Sequence, residues 1–254
     1  MTGLYFSGTG NTKHCVEEFV HCFDPNNQTI SIESFGIENS LANEDIIIFG
    51  HPTCFSNAPK IVRDYIRNHK QIFAGRKVFV IVTMGLFSGD GAGCSARILK
   101  KCGAEIIGGL HLRMSDCIGD NKMLKKTLEE NKLLVEQANI KIHLATERLK
   151  GNKPFKEGLN ILYHIAGLFG QRLWFYGKSF SYKNKPNIDL KKCIDCGFCI
   201  KNCPMKNLEK KDGIVVHNKK CTMCYRCVNN CPVQALTILG GKIYEQCIFE
   251  KYNK

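Results

Sequence analysis

The chain has 254 residues, 36 Lys and Arg against 23 Asp and Glu, a formal net charge of +13 and 15 cysteines. The excess lysine is scattered, with short runs at Lys125-Lys126, Lys191-Lys192 and Lys219-Lys220. That pattern favours a solvated surface or a docking face for acidic partners, and argues against nucleic-acid binding. The cysteine count fits the reducing cytosol of an anaerobe rather than a disulfide framework, so a cytoplasmic location is expected. Met1 leads directly into a strand-like segment, so no signal peptide is expected.

In chain order, Leu4-Tyr5-Phe6 is a short apolar strand. It runs into Ser7-Gly8-Thr9-Gly10-Asn11-Thr12 and then into a helical pattern through Phe23. Strand, small-residue loop and helix N-terminus together make a phosphate cradle, because free N–H groups and the helix dipole favour an anion and glycines let the backbone approach it. No Gly-Lys-Ser/Thr ends the loop, so it is not a Walker A; Lys13 stands where a dinucleotide fingerprint needs its third glycine. Thr29 to Glu33 reads as a second strand, and Phe35 to Asn43 leaves room only for a short helix. Asp45 to Gly50 is a continuous apolar strand of the buried type, opening into a loop from His51 to Pro59. A helix with proline in its first turn follows to His69. Val78 to Val82 is the next buried strand and opens into a loop from Thr83 to Gly93. Ala92 to Lys101 reads as a helix ended by Gly103, Glu105 to Leu112 as a fifth strand, and about Lys122 to Lys150 as a long helix. The alternation predicts an α/β doubly wound parallel sheet in the order 2-1-3-4-5, with ligands at the carboxyl ends of its strands.

These residues resemble the flavodoxin family, whose first loop reads S/T-x-T-G-N-T and holds the phosphate of FMN. Ser7, Thr9, Gly10, Asn11 and Thr12 match it in full, and the resemblance covers about residues 1 to 148. It implies FMN as a cofactor, with two further loops sandwiching the isoalloxazine ring. The candidates there are Pro52, Thr53, Cys54 and Phe55 in one loop, and Thr83, Met84, Gly85, Phe87, Gly89, Asp90 and Gly91 in the other. Phe55 and Phe87 would pack on or beside the ring. His51 would either hydrogen-bond flavin or be a plain surface residue. Nothing in the sequence beside Cys54 lowers its pKa, so a redox-active thiol is not expected there. Cys15, Cys22, Cys94, Cys102, Cys117 and Cys247 read mostly as small apolar fillers.

Between about 151 and 185 lies an apolar-rich stretch, Leu159 to Tyr176, broken by His164, Gln171 and Arg172 and therefore a poor transmembrane span. A membrane-surface helix is one reading. The favoured one is a helical linker whose apolar stripe packs against one or both flanking modules. Lys178 to Pro186 then reads as an irregular connector.

From Cys193 to Pro204 the chain reads C-x2-C-x2-C-x3-C-P, and it reads so again from Cys221 to Pro232, after an offset of 28 residues. This is the run that holds [4Fe–4S] clusters, the fourth cysteine of each copy ligating the other copy's cluster. The expected ligands are Cys193, Cys196, Cys199 and Cys231 for one cluster, and Cys221, Cys224, Cys227 and Cys203 for the second. Zinc knuckles stop at four ligands in two C-x2-C pairs and lack the C-P ending. Lys192, Asn202, Leu208 and Gly213 recur at the same offset as Lys220, Asn230, Leu236 and Gly241. Each half therefore reads as a cysteine loop, a helical turn and a short strand, with Ile214 to Val216 and Leu236 to Leu239 as strand candidates. About 60 residues build little core, so this α+β module should depend on its metal for folding. From about Asp189 to Gly241 it resembles two-[4Fe–4S] bacterial ferredoxins.

The whole chain resembles a flavodoxin–ferredoxin fusion, with modules at about 1–150 and 186–254 and the linker between. The resemblance implies an electron-transfer protein in which FMN, taking one or two electrons, is joined to clusters that each take one. Its partners would be redox proteins, a ferredoxin or a reductase, and a homodimer would form if flavin and cluster were far apart within one chain. With two clusters and a phosphate at roughly −2 each, the net charge becomes about +7. The alternative is an FMN-dependent reductase of a small molecule, fed by the clusters. A regulatory iron–sulfur module is a third reading, which no DNA-binding motif supports.

Overall fold

The computed structural model describes residues 1–175, 181 and 185–253. Five parallel strands form one sheet in the order β2-β1-β3-β4-β5: β1 Thr2–Tyr5, β2 Thr29–Ser31, β3 Ile46–Pro52, β4 Lys77–Met84 and β5 Glu105–Arg113. This is the flavodoxin-like order the strand pattern predicts. The continuous apolar runs of β3 and β4 are explained by burial on both faces. Ile47, Phe49, Val78, Val80 and Val82 enter one core layer, while Ile48, Phe79 and Ile81 enter the other. The first layer is covered by α3 (Lys60–Asn68) and α5 (Gly91–Lys101), through Val62, Ile66, Ala92 and Leu99, with the short α2 (Ile37–Ser40) and α4 (Lys70–Phe73) adding Ile37, Ile72 and Phe73. The second is covered by α1 (Asn11–Phe23) and α6 (Leu128–Lys150), through Val16, Phe19, Val135 and Ile142.

The helix expected from Lys122 is shorter than its pattern suggests. Lys122–Leu124 forms a single 3-10 turn, and α6 starts at Leu128 behind a capping box of Thr127 and Glu130. The Thr127 hydroxyl and the Glu130 carboxylate each satisfy a backbone N–H that would otherwise be orphaned, which fixes the start. Beyond α6, Gly109 of β5 hydrogen-bonds Phe155 and Glu157, so the chain lines the free edge of the sheet before leaving it.

The next segment contains α7 (Ile161–Gly167) and a π-type turn, Leu168–Arg172. It docks on the sheet unit by polar contacts as well as by part of the expected apolar stripe: Leu159 packs against the core and Phe175 stacks on Phe55. His164 and Arg172 reach Asp90 at 2.8 and 2.9 Å, and Ser56 donates to Gln171 at 2.7 Å. Gly167 lies so close to Asp90 that a Cβ would stand 2.7 Å from that residue's Cβ. Ile161, Leu162, Phe169, Leu173 and Trp174 remain exposed. Most of the connector Lys178–Pro186 falls outside the described residues. Among the described residues no helix is long and apolar enough to cross a membrane.

The cysteine-rich unit holds two antiparallel ribbons. The expected strand at 214 is β8 (Ile214–His217) and pairs with β7 (Leu208–Lys211); the one at 236 is β9 (Leu236–Thr237) and pairs with β6 (Asn187–Ile188). The two helical turns, Phe198–Lys201 and Arg226–Asn229, stand at the offset of the sequence repeat. So do the backbone positions of positive φ: Asp195 with Met223, Gly197 with Tyr225, and Lys206 with Gln234. The internal repeat is thus carried down to individual dihedral angles.

Two histidines are shut inside the sheet unit. His51, wholly buried in β3, hydrogen-bonds Ser95 at 2.8 Å, and His111 of β5 is 6% exposed. Burial lowers the pKa of each to about 4. Unfolding returns them to the ordinary value near 6.5, so the unfolded chain binds more protons between those limits. Their contribution is intact above pH 6.5 and declines as the pH falls toward 4. Between pH 7 and pH 5.5 stability is expected to drop by about 1 kcal/mol for each histidine. Denaturant unfolding at the two pH values checks this, and His51→Gln should flatten the slope.

Candidate functional site

A cleft of about 260 Å³ opens at the carboxyl ends of β1, β3 and β4. The first loop contributes Ser7, Thr9, Asn11 and Thr12, the second Pro52, Thr53, Cys54 and Phe55, and the third Thr83, Met84, Gly85 and Phe87. These twelve expected residues are brought together. A hydroxyl pair, Thr12 with Thr83 at 2.7 Å, ties the first loop to the third. Helix α1 begins at this loop with no side-chain cap on its first turn, which leaves its N–H groups turned to the cleft end of the helix.

Gly10, Gly89, Asp90 and Gly91 do not line the cleft. Gly89 has positive φ and packs on Gly167, and Gly91 opens α5. Asp90 is fully buried behind the third loop, where Arg97, His164 and Arg172 converge on it. Burial alone would raise its pKa, but the hydrogen bonds from Arg97 and His164 and the two guanidinium charges outweigh it and hold the carboxyl below its usual range. Asp90 is therefore the clamp for the segment around α7. His51 is neither at the cleft nor at the surface, because it lies inside β3.

The glycines of the first loop also serve an approach that was not expected. A Cβ on Gly8 would stand 2.2 Å from the carbonyl oxygen of Cys224, and one on Gly10 would stand 2.7 Å from Cβ of Phe249. What comes close there is the second unit and the chain that follows it. Arg226 continues this seam, donating to the Ser7 carbonyl at 2.7 Å and bidentately to Glu33. Thr222, Met223, Cys224 and Tyr225 consequently form one wall of the cleft.

The loop after β5 forms another wall that the sequence reading missed: Met114, Ser115, Asp116, Cys117 and Ile118. Asn11 donates to the Ser115 carbonyl at 2.9 Å. Asp116 lies so close to Gly85 that a Cβ there would stand 2.2 Å from its carboxylate. Burial raises the Asp116 pKa against the opposing effects of the Ile118 N–H and Lys125. Burial likewise pushes the Cys54 thiol up to about 12. The signal for this loop was available, since it too follows the carboxyl end of a strand.

Two small cavities sit inside the cysteine-rich unit. One is lined by Cys203, Cys221, Cys224 and Cys227, the other by Cys193, Cys196, Cys199 and Cys231. Each thus gathers three cysteines of one repeat and the fourth of the other. Cys203 accepts from the Asn207 N–H, and Cys231 from the Ala235 N–H, both at 3.3 Å and again at the repeat offset. Among the described residues only Glu18, Cys22 and His143 bring three ligand atoms within 4.8 Å of one another. The eight cysteines are spread more widely than the sulfurs of a single tetrahedral zinc, which lie about 3.8 Å apart. Four cysteines to each cavity, an all-sulfur donor set, fit a cubane cluster. The cleft fits FMN in kind: helix N–H groups and hydroxyls at one end, and Phe55, Met84 and Phe87 along its apolar walls.

Residues 192–235 match the family model described as a 4Fe-4S dicluster domain. No curated protein matches the chain. Among solved structures, two-electron reduced Megasphaera elsdenii flavodoxin is similar at 21% identity, over 44% of this chain and 85% of that one, with a TM-score of 0.39. A Fusobacterium nucleatum flavodoxin bound to flavin mononucleotide is similar at 18% identity, over 59% and 96%, with a TM-score of 0.41. An archaeal flavodoxin gives 14% identity, 57% and 97%, and 0.40. At those scores the likenesses carry no weight by themselves, and the fold assignment rests on the sheet order. A flavodoxin-like sheet followed by a 4Fe-4S dicluster segment fits a flavodoxin–ferredoxin fusion.

Proposed function

We propose that the chain is an electron-transfer protein that carries FMN in the cleft and one [4Fe–4S] cluster in each cysteine cavity. The observation that carries this reading is a shared wall: Thr222, Cys224 and Tyr225 line both the cleft and the cavity of Cys203, Cys221, Cys224 and Cys227. When bound, flavin exchanges one or two electrons and so couples one-electron carriers to two-electron chemistry. The first loop and the start of α1 would hold its phosphate, while Thr53 to Phe55 and Met84 to Phe87 would flank the ring. Tyr225, almost fully buried at a backbone φ of 57° that non-glycine residues rarely adopt, keeps water out of the wall. The flavin and the nearer cluster then belong to one chain, so internal transfer requires no partner copy.

The outer cavity faces the partner. Cys196 is exposed there, with Lys191 and Lys201 exposed nearby, while Lys192 and Lys210 pair with Asp189 and Asp195. Such a rim suits an acidic redox protein, with association that weakens as salt rises. The reductase alternative has one specific support in Asp116, a carboxyl at the cleft wall whose pKa burial raises.

Anaerobically purified protein should carry about eight iron, eight acid-labile sulfide and one FMN. Four iron, or no flavin, would sink the two-module reading. Reduced ferredoxin should reduce the flavin, whereas NADH alone should not; rapid reduction by NADH favours the reductase. In Gly8→Ala the added methyl must push the Cys224 backbone away. Flavin reduction through the clusters should slow at least about tenfold while direct reduction of flavin by dithionite is retained.

A further inference from the structure

We propose that Glu18, Cys22 and His143 form a binding site for one Zn²⁺ ion, toward the end of α1 opposite the cleft. Glu18 and Cys22 stand one helical turn apart on α1 and so share a face. His143 comes from α6, which packs against α1 through the core of Val16, Phe19, Ala138 and Ile142. The seam between the helices is pinned one turn earlier by His14 and Asn139, 2.8 Å apart. The three ligands therefore project from rigid elements whose register is already set.

The separations decide the chemistry. Cys22 Sγ lies 3.5 Å from Glu18 Oε1 and 3.8 Å from His143 Nε2, and that nitrogen lies 3.2 Å from the same oxygen. Zinc bonds of about 2.3 Å to sulfur and about 2.0–2.1 Å to nitrogen and oxygen, at tetrahedral angles, give edges near 3.5 Å to sulfur and about 3.4 Å between nitrogen and oxygen. The three edges match one face of that tetrahedron, but Cys22 Sγ also lies 3.4 Å from His143 Nδ1, so the exposed imidazole must turn to aim Nε2 at the ion. Thiolate, imidazole and carboxylate together suit zinc better than the hard cations, which prefer oxygen alone. His143 is 61% exposed, which leaves the fourth position to a water. Lys150, an ammonium beside the site, is directed to the Cys22 carbonyl and to Glu147. A plain ion pair would need only Glu18 and His143; the thiol placed beside both is what makes a third donor. On binding, the Cys22 proton is released to solvent and the ion clips α1 to α6.

The test uses anaerobic, fully cluster-loaded protein titrated with ZnCl₂ against a chromophoric chelator, with iron content followed throughout. One equivalent should bind without loss of iron. Cys22→Ala should weaken it about 100-fold, and Glu18→Gln and His143→Ala at least about tenfold each. In the wild type, zinc should also slow alkylation of Cys22 by iodoacetamide at least tenfold, read by mass spectrometry. All three variants sit at the helix surface, and unfolding curves identify any that fail to fold. Affinity unchanged in the three variants, zinc uptake only with displacement of iron, or alkylation of Cys22 indifferent to zinc would each overturn the site.

Discussion

A Cys203→Ser chain is expected to keep only about four of roughly eight iron atoms, and the cluster it loses is the one held by the opposite repeat. Cys203 lies within the first repeat's run, yet it lines the cavity of Cys221, Cys224 and Cys227. Cys231→Ser is the mirror case, because Cys231 lines the cavity of Cys193, Cys196 and Cys199. Iron analysis alone does not tell the two variants apart, but function should. The cavity that Cys203 completes shares its wall with the cleft, so Cys203→Ser should abolish flavin reduction through the clusters. Cys231→Ser removes the outer cluster and should impair docking with an acidic donor more than the final transfer to flavin. Electron paramagnetic resonance of the reduced variants, with stopped-flow reduction of flavin, reads both effects. Identical flavin kinetics in the two variants would refute the order of the cavities.

The second large effect is expected at Asp120. Its carboxylate is 2% exposed and accepts from the Tyr225 hydroxyl at 2.9 Å and from the N–H groups of Ile238, Leu239 and Gly240 at 2.6, 2.8 and 3.0 Å. Asp120 stands in the sheet unit's trailing loop and all four donors stand in the cysteine-rich unit, so one side chain fastens the two together. Asp120→Ala leaves those donors buried without a partner. A loss of about 3–5 kcal/mol is expected in the cluster-loaded protein. Tyr225→Phe removes only one of the four bonds and should cost about 1 kcal/mol. Unfolding by denaturant under anaerobic conditions measures both, and equal losses would mean that the backbone N–H groups contribute nothing.

The five-stranded sheet was legible because its central strands are uninterrupted apolar runs, which only burial on both faces explains. The cysteine cavities were legible because the spacing of the run dictates the crossing of the fourth ligand. What failed depended on packing between distant segments. Asp90 and His51 look like site residues in sequence, standing in or next to the expected loops; only the structure shows Arg172 and His164 arriving at the first, and Ser95 closing over the second. Strand β6, two residues long, is too short to leave a pattern. The wall of Thr222 to Tyr225 could not be anticipated, since no local feature of the second repeat states which part of the first unit it meets. Even Gly8 and Gly10, correctly assigned to the first loop, are small for a reason that lies some 210 to 240 positions later in the chain, at Cys224 and Phe249.

After the second repeat the chain returns to the sheet unit. Tyr244 donates to the Gly119 carbonyl, Phe249 donates to the Thr9 carbonyl, and the Phe249 ring stacks on His14 at 4.2 Å. The cysteine-rich unit is therefore moored downstream as well as through Asp120 and Arg226, and it has no free arc through which to swing. A carrier on a flexible tether delivers electrons only as fast as it can search, and slows when glycerol thickens the solvent. In this chain the step between the inner cluster and flavin should be indifferent to viscosity, while the encounter with an outside donor should not.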